Sequence, residues 1–261
     1  MNRNSLIEWI TYERTLLSLY YKRNIKTIRS YISIFVVFIP NFFLFFAMIS
    51  QAQYMTQKVF ESETFWRLFI AYNLSFAPIA SILLGGFIIS HDFSRGTAQL
   101  IYTTISRKKY LISNLRFLSV HMLLLQGLSF LGFILQGIII LNMLLPIELL
   151  FVGFIFTYLY SLFYLSFSFI LTSLTRSTII ALLVPFAYHN LSPMLISMDM
   201  KLLSINYYSD TISDRVLIYI WNGIISMNFE GALSIIVLIA IPCVLFIIAI
   251  FGFEVIEIRQ E

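Results

Sequence analysis

Six uncharged stretches divide the chain: 30–57, 68–91, 117–147, 149–175, 177–198 and 231–253. Each exceeds the roughly 20 residues that a helix needs to cross a hydrocarbon core of about 30 Å. A soluble helical bundle would require a polar face along every helix, and these stretches do not supply one. The pattern predicts an all-α polytopic membrane protein with spans at about 30–52, 68–90, 117–142, 149–174, 177–198 and 231–253. A seventh uncharged stretch, 216–229, is too short to span and suits an interfacial or re-entrant helix within the loop 199–230. Residues 1–29 have a different period. Leu6, Trp9, Ile10, Leu17, Tyr20, Tyr21 and Ile28 cluster on one side of a helix, and Thr11, Thr15, Ser18, Lys22, Lys26 and Arg29 on the other. That is the pattern of a helix lying in the interface with its basic face toward headgroups. Glu13 breaks the apolar face, and a solvated leader is the plainer alternative.

Composition sharpens the picture. Hydrophobic residues make up 59% of the chain and charged residues 11%, against about 45–50% and about 25% in soluble domains. Of the 17 basic residues, 13 fall on the side holding the N-terminus, loop 91–116, Arg176 and the C-terminus. Since cytoplasmic loops retain Lys and Arg, both termini are expected in the cytoplasm of a multi-pass plasma-membrane protein. The net charge of +4 then reflects topology, and no nucleic-acid partner is needed to explain it. The single cysteine, Cys243, lies mid-span, and His91, His121 and His189 lack ligand spacing, so neither a disulfide framework nor a metal site is expected. The first apolar run is too long for the core of a signal peptide. No soluble domain interrupts 1–261, which reads as one membrane domain. The Ile, Phe and Tyr bias with few glycines points to an AT-rich prokaryotic genome.

The polar interruption at 91–116 carries five basic residues (Arg95, Arg107, Lys108, Lys109 and Arg116) and one acid, Asp92. Gly96 permits a tight turn, and Thr97 can cap a following helix. No phosphate-loop motif occurs, nor HExxH, GxSxG or paired carboxylates within a span. The predicted spans contain no Asp, Glu, Lys or Arg, whereas ion-coupled carriers usually keep such groups at membrane depth. A transporter of this composition must draw its energy from another chain.

An amphipathic leader, six spans, termini inside and an acidic-x-x-x-Gly-Thr…Ser-Arg segment after the second span together resemble the permeases of type-2 ABC exporters. The matching positions are Asp92, Gly96, Thr97, Leu100, Ser106 and Arg107. The proline expected before Ser-Arg is absent, and Asn114 or Arg116 stands nearest the expected lysine. The resemblance implies a permease dimer, formed with a second copy or a paralogue, that exports its substrate by alternating access; the 26 phenylalanines suggest a hydrophobic or amphiphilic cargo, and lipid-facing phenylalanine explains them equally well. Cytoplasmic ABC ATPase subunits would supply ATP and Mg, with no cofactor in this chain. It also implies an ATPase-coupling segment of Asp92, Arg95, Gly96, Thr97, Ser106, Arg107, Lys108, Lys109 and Tyr110. Enforcement of positive-inside topology is the plainer role for the same basic residues. The first, second and fifth spans would line the route, with Asn41, Asn73, Ser81, Tyr188, His189 and Asn190 as candidate pathway residues. Interhelical hydrogen bonding is the simpler account of each, as it is of Gln126 and Gln136. A non-transporting interaction or immunity protein and a membrane-embedded enzyme are the competing readings.

Overall fold

The computed structural model describes residues 28–54, 62–94, 106–141, 147–222 and 229–258. Its elements are α1 (Ile28–Tyr54), α2 (Ser62–Ser94), α3 (Arg107–Leu141), α4 (Ile147–Thr175), α5 (Thr178–Ser197), a 3-10 turn (Lys201–Leu203), α6 (Ile205–Asn222) and α7 (Phe229–Ile258). No strand occurs among the described residues. Five helices are long and apolar enough to cross a membrane, over Arg67–Phe87, Lys108–Ile139, Leu150–Thr175, Thr178–Ser197 and Glu230–Phe253. The first expected span falls in the 27-residue α1, whose apolar stretch is Tyr31–Phe43. The expected amphipathic helix lies, but for residues 28 and 29, outside the described residues.

Two boundaries differ from those read at the charges. α2 continues through Asp92 to Ser94, and α3 already begins at Arg107, ten residues before the expected span at 117. Charge ends an apolar run but not a helix, because Lys and Arg are good helix formers whose long stems carry the charge outward. Within the expected loop 199–230, α6 forms over 18 residues. Ile205, Tyr208 and Ile212 are buried along it while Asp210 and Asp214 are exposed, the spacing of an amphipathic helix.

α4 is the central helix and packs against α2, α3, α5, α6 and α7. Its buried side carries hydroxyls at Thr157, Ser161, Ser168 and Thr172 among large aromatics such as Tyr164 and Phe169. Small side chains there let backbones approach. A Cβ on Gly85 of α2 would stand 2.7 Å from the Leu165 carbonyl oxygen. Nearby, the Oγ of Ser168 reaches the carbonyls of Ile82 (2.9 Å) and Ala181 (2.7 Å), where α2, α4 and α5 meet. Pro185 has no N–H to give Ala181, four residues earlier, and the Ser168 hydroxyl stands closest to the carbonyl so freed.

The turn from α4 to α5 takes only Arg176 and Ser177. Arg176 is left-handed (φ 55°) with its N–H on Thr172, and Ser177 caps α5 by accepting from Ile180. α5 therefore folds straight back along α4. The outer surface of the bundle is apolar: Phe35 is 70% exposed, Ile139 75% and Ile179 68%. Exposed apolar side chains of that size are compatible with a hydrocarbon surround.

Candidate functional site

The start of α3 is the described part of the segment assigned to ATPase coupling. Ser106 is exposed and its carbonyl accepts from the Tyr110 N–H (3.0 Å), opening the helix. Lys108 and Lys109 are exposed, with the Lys108 ammonium 5.6 Å from the centre of the Phe251 ring on α7. Tyr110 points the other way and is fully buried beside Leu111, Leu118, Ala249 and Phe253. Its ring anchors the helix in the bundle and is not offered to a partner. Asp92 and Arg107 lie in helices with their side chains outside the described set, and Arg95, Gly96 and Thr97 lie outside it altogether. Asn114, near the expected lysine, is buried with neither amide atom hydrogen-bonded.

The six pathway candidates do not converge. Asn41 on α1 donates to the carbonyl (3.0 Å) and hydroxyl (2.8 Å) of Ser129 on α3, and Gln136 donates to the Asn41 carbonyl (2.9 Å). Gln126 ties α3 to Ser161 of α4 (3.0 Å), the internal role expected of both glutamines. Asn73 and Ser81 are buried on α2 and donate to carbonyls one turn back, at Phe69 and Ala77. Asn190 is exposed on α5 and likewise bonds back to Phe186 (2.7 Å).

Tyr188 and His189 belong to a different constellation, at the junction of α2, α4, α5 and α6. The Tyr188 hydroxyl donates to the Leu203 carbonyl (2.8 Å) and accepts from the Ile205 N–H (3.0 Å), pinning the 3-10 turn to α5. Ser192 and Ser204 hydroxyls pair at 2.7 Å beside it. Nδ1 of His189 lies 3.2 Å from the Tyr164 hydroxyl. The Tyr160 and Tyr164 rings meet edge to face with their centres 5.3 Å apart. Tyr160 then donates to Oδ1 of Asn206 on α6 at 2.6 Å. One turn further along α6, burial pushes the Asp210 carboxyl up to about 6, with a smaller push from the Asp214 carboxylate. Asp210 keeps exposed surface, so it exchanges protons with the medium.

Sequence reading missed Tyr160, Tyr164 and Asn206. The available signal was a ladder of hydroxyls at 157, 161, 164, 168 and 172, one helical face of a stretch that is otherwise apolar.

Fold and site define an all-helical chain with five membrane-length apolar helices, compatible with a multi-pass membrane protein. No protein-family model, curated protein or solved structure matches this chain. Its functional reading rests on its own residues and their geometry.

Proposed function

We propose that this chain is the membrane-spanning subunit of a type-2 ABC exporter, moving a hydrophobic or amphiphilic substrate by alternating access. In this reading α1 supplies a sixth span, both termini face the cytoplasm, and two permease chains pair with two ATPase subunits. The supporting observation is the start of α3. Exposed Lys108 and Lys109 sit directly before fully buried Tyr110 and Leu111 on one unbroken 35-residue helix. A push on the exposed basic end would be delivered to the packed core without an intervening hinge. Two packings of the bundle could then be biased by contact at that end. The helix geometry suits a lever, with the basic residues fixing register against an acidic groove.

The test is purification of the tagged chain from its native membranes, with and without Arg107→Glu combined with Lys108→Glu. The expected result is an ATPase bearing a phosphate loop that co-purifies with the parent chain, and at least a tenfold loss of that recovery in the variant. Equal recovery of the ATPase by both chains refutes docking at α3. Recovery of none by the parent chain favours a non-transporting interaction protein, a reading that the interhelical pairing of Asn41, Gln126 and Gln136 would suit.

A further inference from the structure

We propose that Met194, Met198 and Met200, gathered where α5 ends, form a binding site for a soft monovalent cation of the Cu(I) or Ag(I) kind. This goes beyond the transport reading and stands without it. Three of the chain's nine methionines fall within residues 194–200. All three side chains are exposed, and none packs into either buried cluster of the bundle. The other large exposed apolar positions of α5, Ile179, Ile180, Leu183, Val184, Phe186 and Leu191, carry no sulfur.

The backbone brings the three residues to one place. Met194 and Met198 are one helical turn apart, with the Met198 N–H on the Met194 carbonyl (3.1 Å), so their side chains leave the same face. Beyond them the chain reverses at once. Asp199 is left-handed (φ 58°), and the Met200 N–H returns to the Leu195 carbonyl at 2.9 Å. That closure is the capping turn in which the second residue past the cap folds back against the last turn of the helix. Met200 therefore comes back toward Met194 and Leu195 instead of running on past the helix end. Methionine has three rotatable side-chain bonds, so the sulfurs can meet on one ion without any movement of this turn.

The donor set decides the kind of ion. A thioether sulfur is neutral and polarisable, and it selects soft Cu(I) over Ca, Mg or Mn, which prefer oxygen. The charges agree with a cation. Asp199, between Met198 and Met200 in the chain, is exposed and brings a carboxylate to the same turn. The nearest basic residue in the chain, Lys201, is drawn off toward the Tyr207 ring on α6, its ammonium 5.3 Å from the ring centre. A purely apolar contact at this end of α5 would be served as well by leucine, which stands just beyond at exposed Leu202 and Leu203.

The test is equilibrium dialysis of the full chain in lipid nanodiscs against Ag(I), with the bound metal read by mass spectrometry. Cys243, an exposed thiol that would take up the same ion, is replaced by serine in every sample. Methyl-13C methionine NMR of the same samples reports which methionines take part, each signal being assigned by its Met→Leu variant. The expected result is one Ag(I) per chain, with the methyl signals of Met194, Met198 and Met200 shifting together. Met194→Leu, Met198→Leu and Met200→Leu should each weaken binding at least about tenfold, the loss that removing even a supporting residue of a metal site brings. A chain that binds no Ag(I), or a triple Met→Leu variant that binds it as tightly, overturns the proposal. Binding left unaltered by any one of the three substitutions overturns the three-sulfur site.

Discussion

Alanine at Gly85 should damage the bundle out of proportion to the single methyl group it adds. The new Cβ would meet the Leu165 carbonyl oxygen at 2.7 Å, with Ser168 Cβ at 3.1 Å and Phe169 N at 3.2 Å. Two of those atoms are backbone of the central helix, so no side chain can swing aside. α2 must retreat from α4 by several tenths of an ångström. The Thr172 hydroxyl, which donates to the Ser168 carbonyl at 2.9 Å, would move away from the Gly85 and Gly86 carbonyls now 3.3 Å and 3.2 Å from it. Overpacking of this kind costs about 1–3 kcal/mol. A loss of about 2 kcal/mol shifts the folding equilibrium about thirtyfold. Gly86→Ala should cost less, because its nearest obstacle, 2.8 Å away, is the flexible end of Leu182. Gly127→Ala, whose Cβ would meet only a Phe154 ring atom at 4.0 Å, should be neutral or slightly stabilising. Reversible unfolding of the three variants in bicelles gives the ranking. If Gly85→Ala unfolds with the same midpoint as Gly127→Ala, the close α2–α4 approach is not what holds these helices together.

Asn41 and Ser129 should be coupled: a double-mutant cycle with Asn41→Ala and Ser129→Ala in the same assay should return about 0.6–1.7 kcal/mol, and additivity would mean that their side-chain hydrogen bond contributes nothing to stability. Asp210 should make stability fall as pH rises from about 4 to 6. Its folded-state carboxyl binds protons more tightly than the usual 3.8, so the folded chain holds the extra proton in that window. The thermal midpoint of the parent chain should decline relative to Asp210→Asn across that interval, and parallel curves would refute the tighter proton binding of this carboxyl in the folded chain. Charge reversal at Arg107 and Lys108 tests the partner by co-purification.

How much was legible beforehand follows from which forces act locally. The uncharged runs mark helices because an apolar stretch of that length, with no water to satisfy its backbone, must pair its N–H and C=O groups internally. That argument needs no knowledge of neighbours, and it located the helices from 28 to 258. It failed at Arg107–Lys109 and across α6, where charges were taken as ends although helical periodicity continued through them. The plainer account of Asn41, Gln126 and Gln136 as interhelical ties also held, because a buried amide must find a partner.

Polar residues read singly cannot show which partner they have, and there the tertiary structure decided. Asn41 and Asn190 are both amides in apolar runs, yet one binds α3 and the other bonds back along its own exposed helix. His189 acquires its partner from Tyr164, 25 positions earlier, once the short turn at Arg176 lays α5 back against α4. Tyr110 shared a basic segment with Lys108 and Lys109 but turns into the core, because one step along a helix rotates a side chain by about 100°. The sequence by itself determined that this chain builds apolar helices. Only their packing determined which side chains meet, since those contacts depend on helix rotation and close approach that no local pattern encodes.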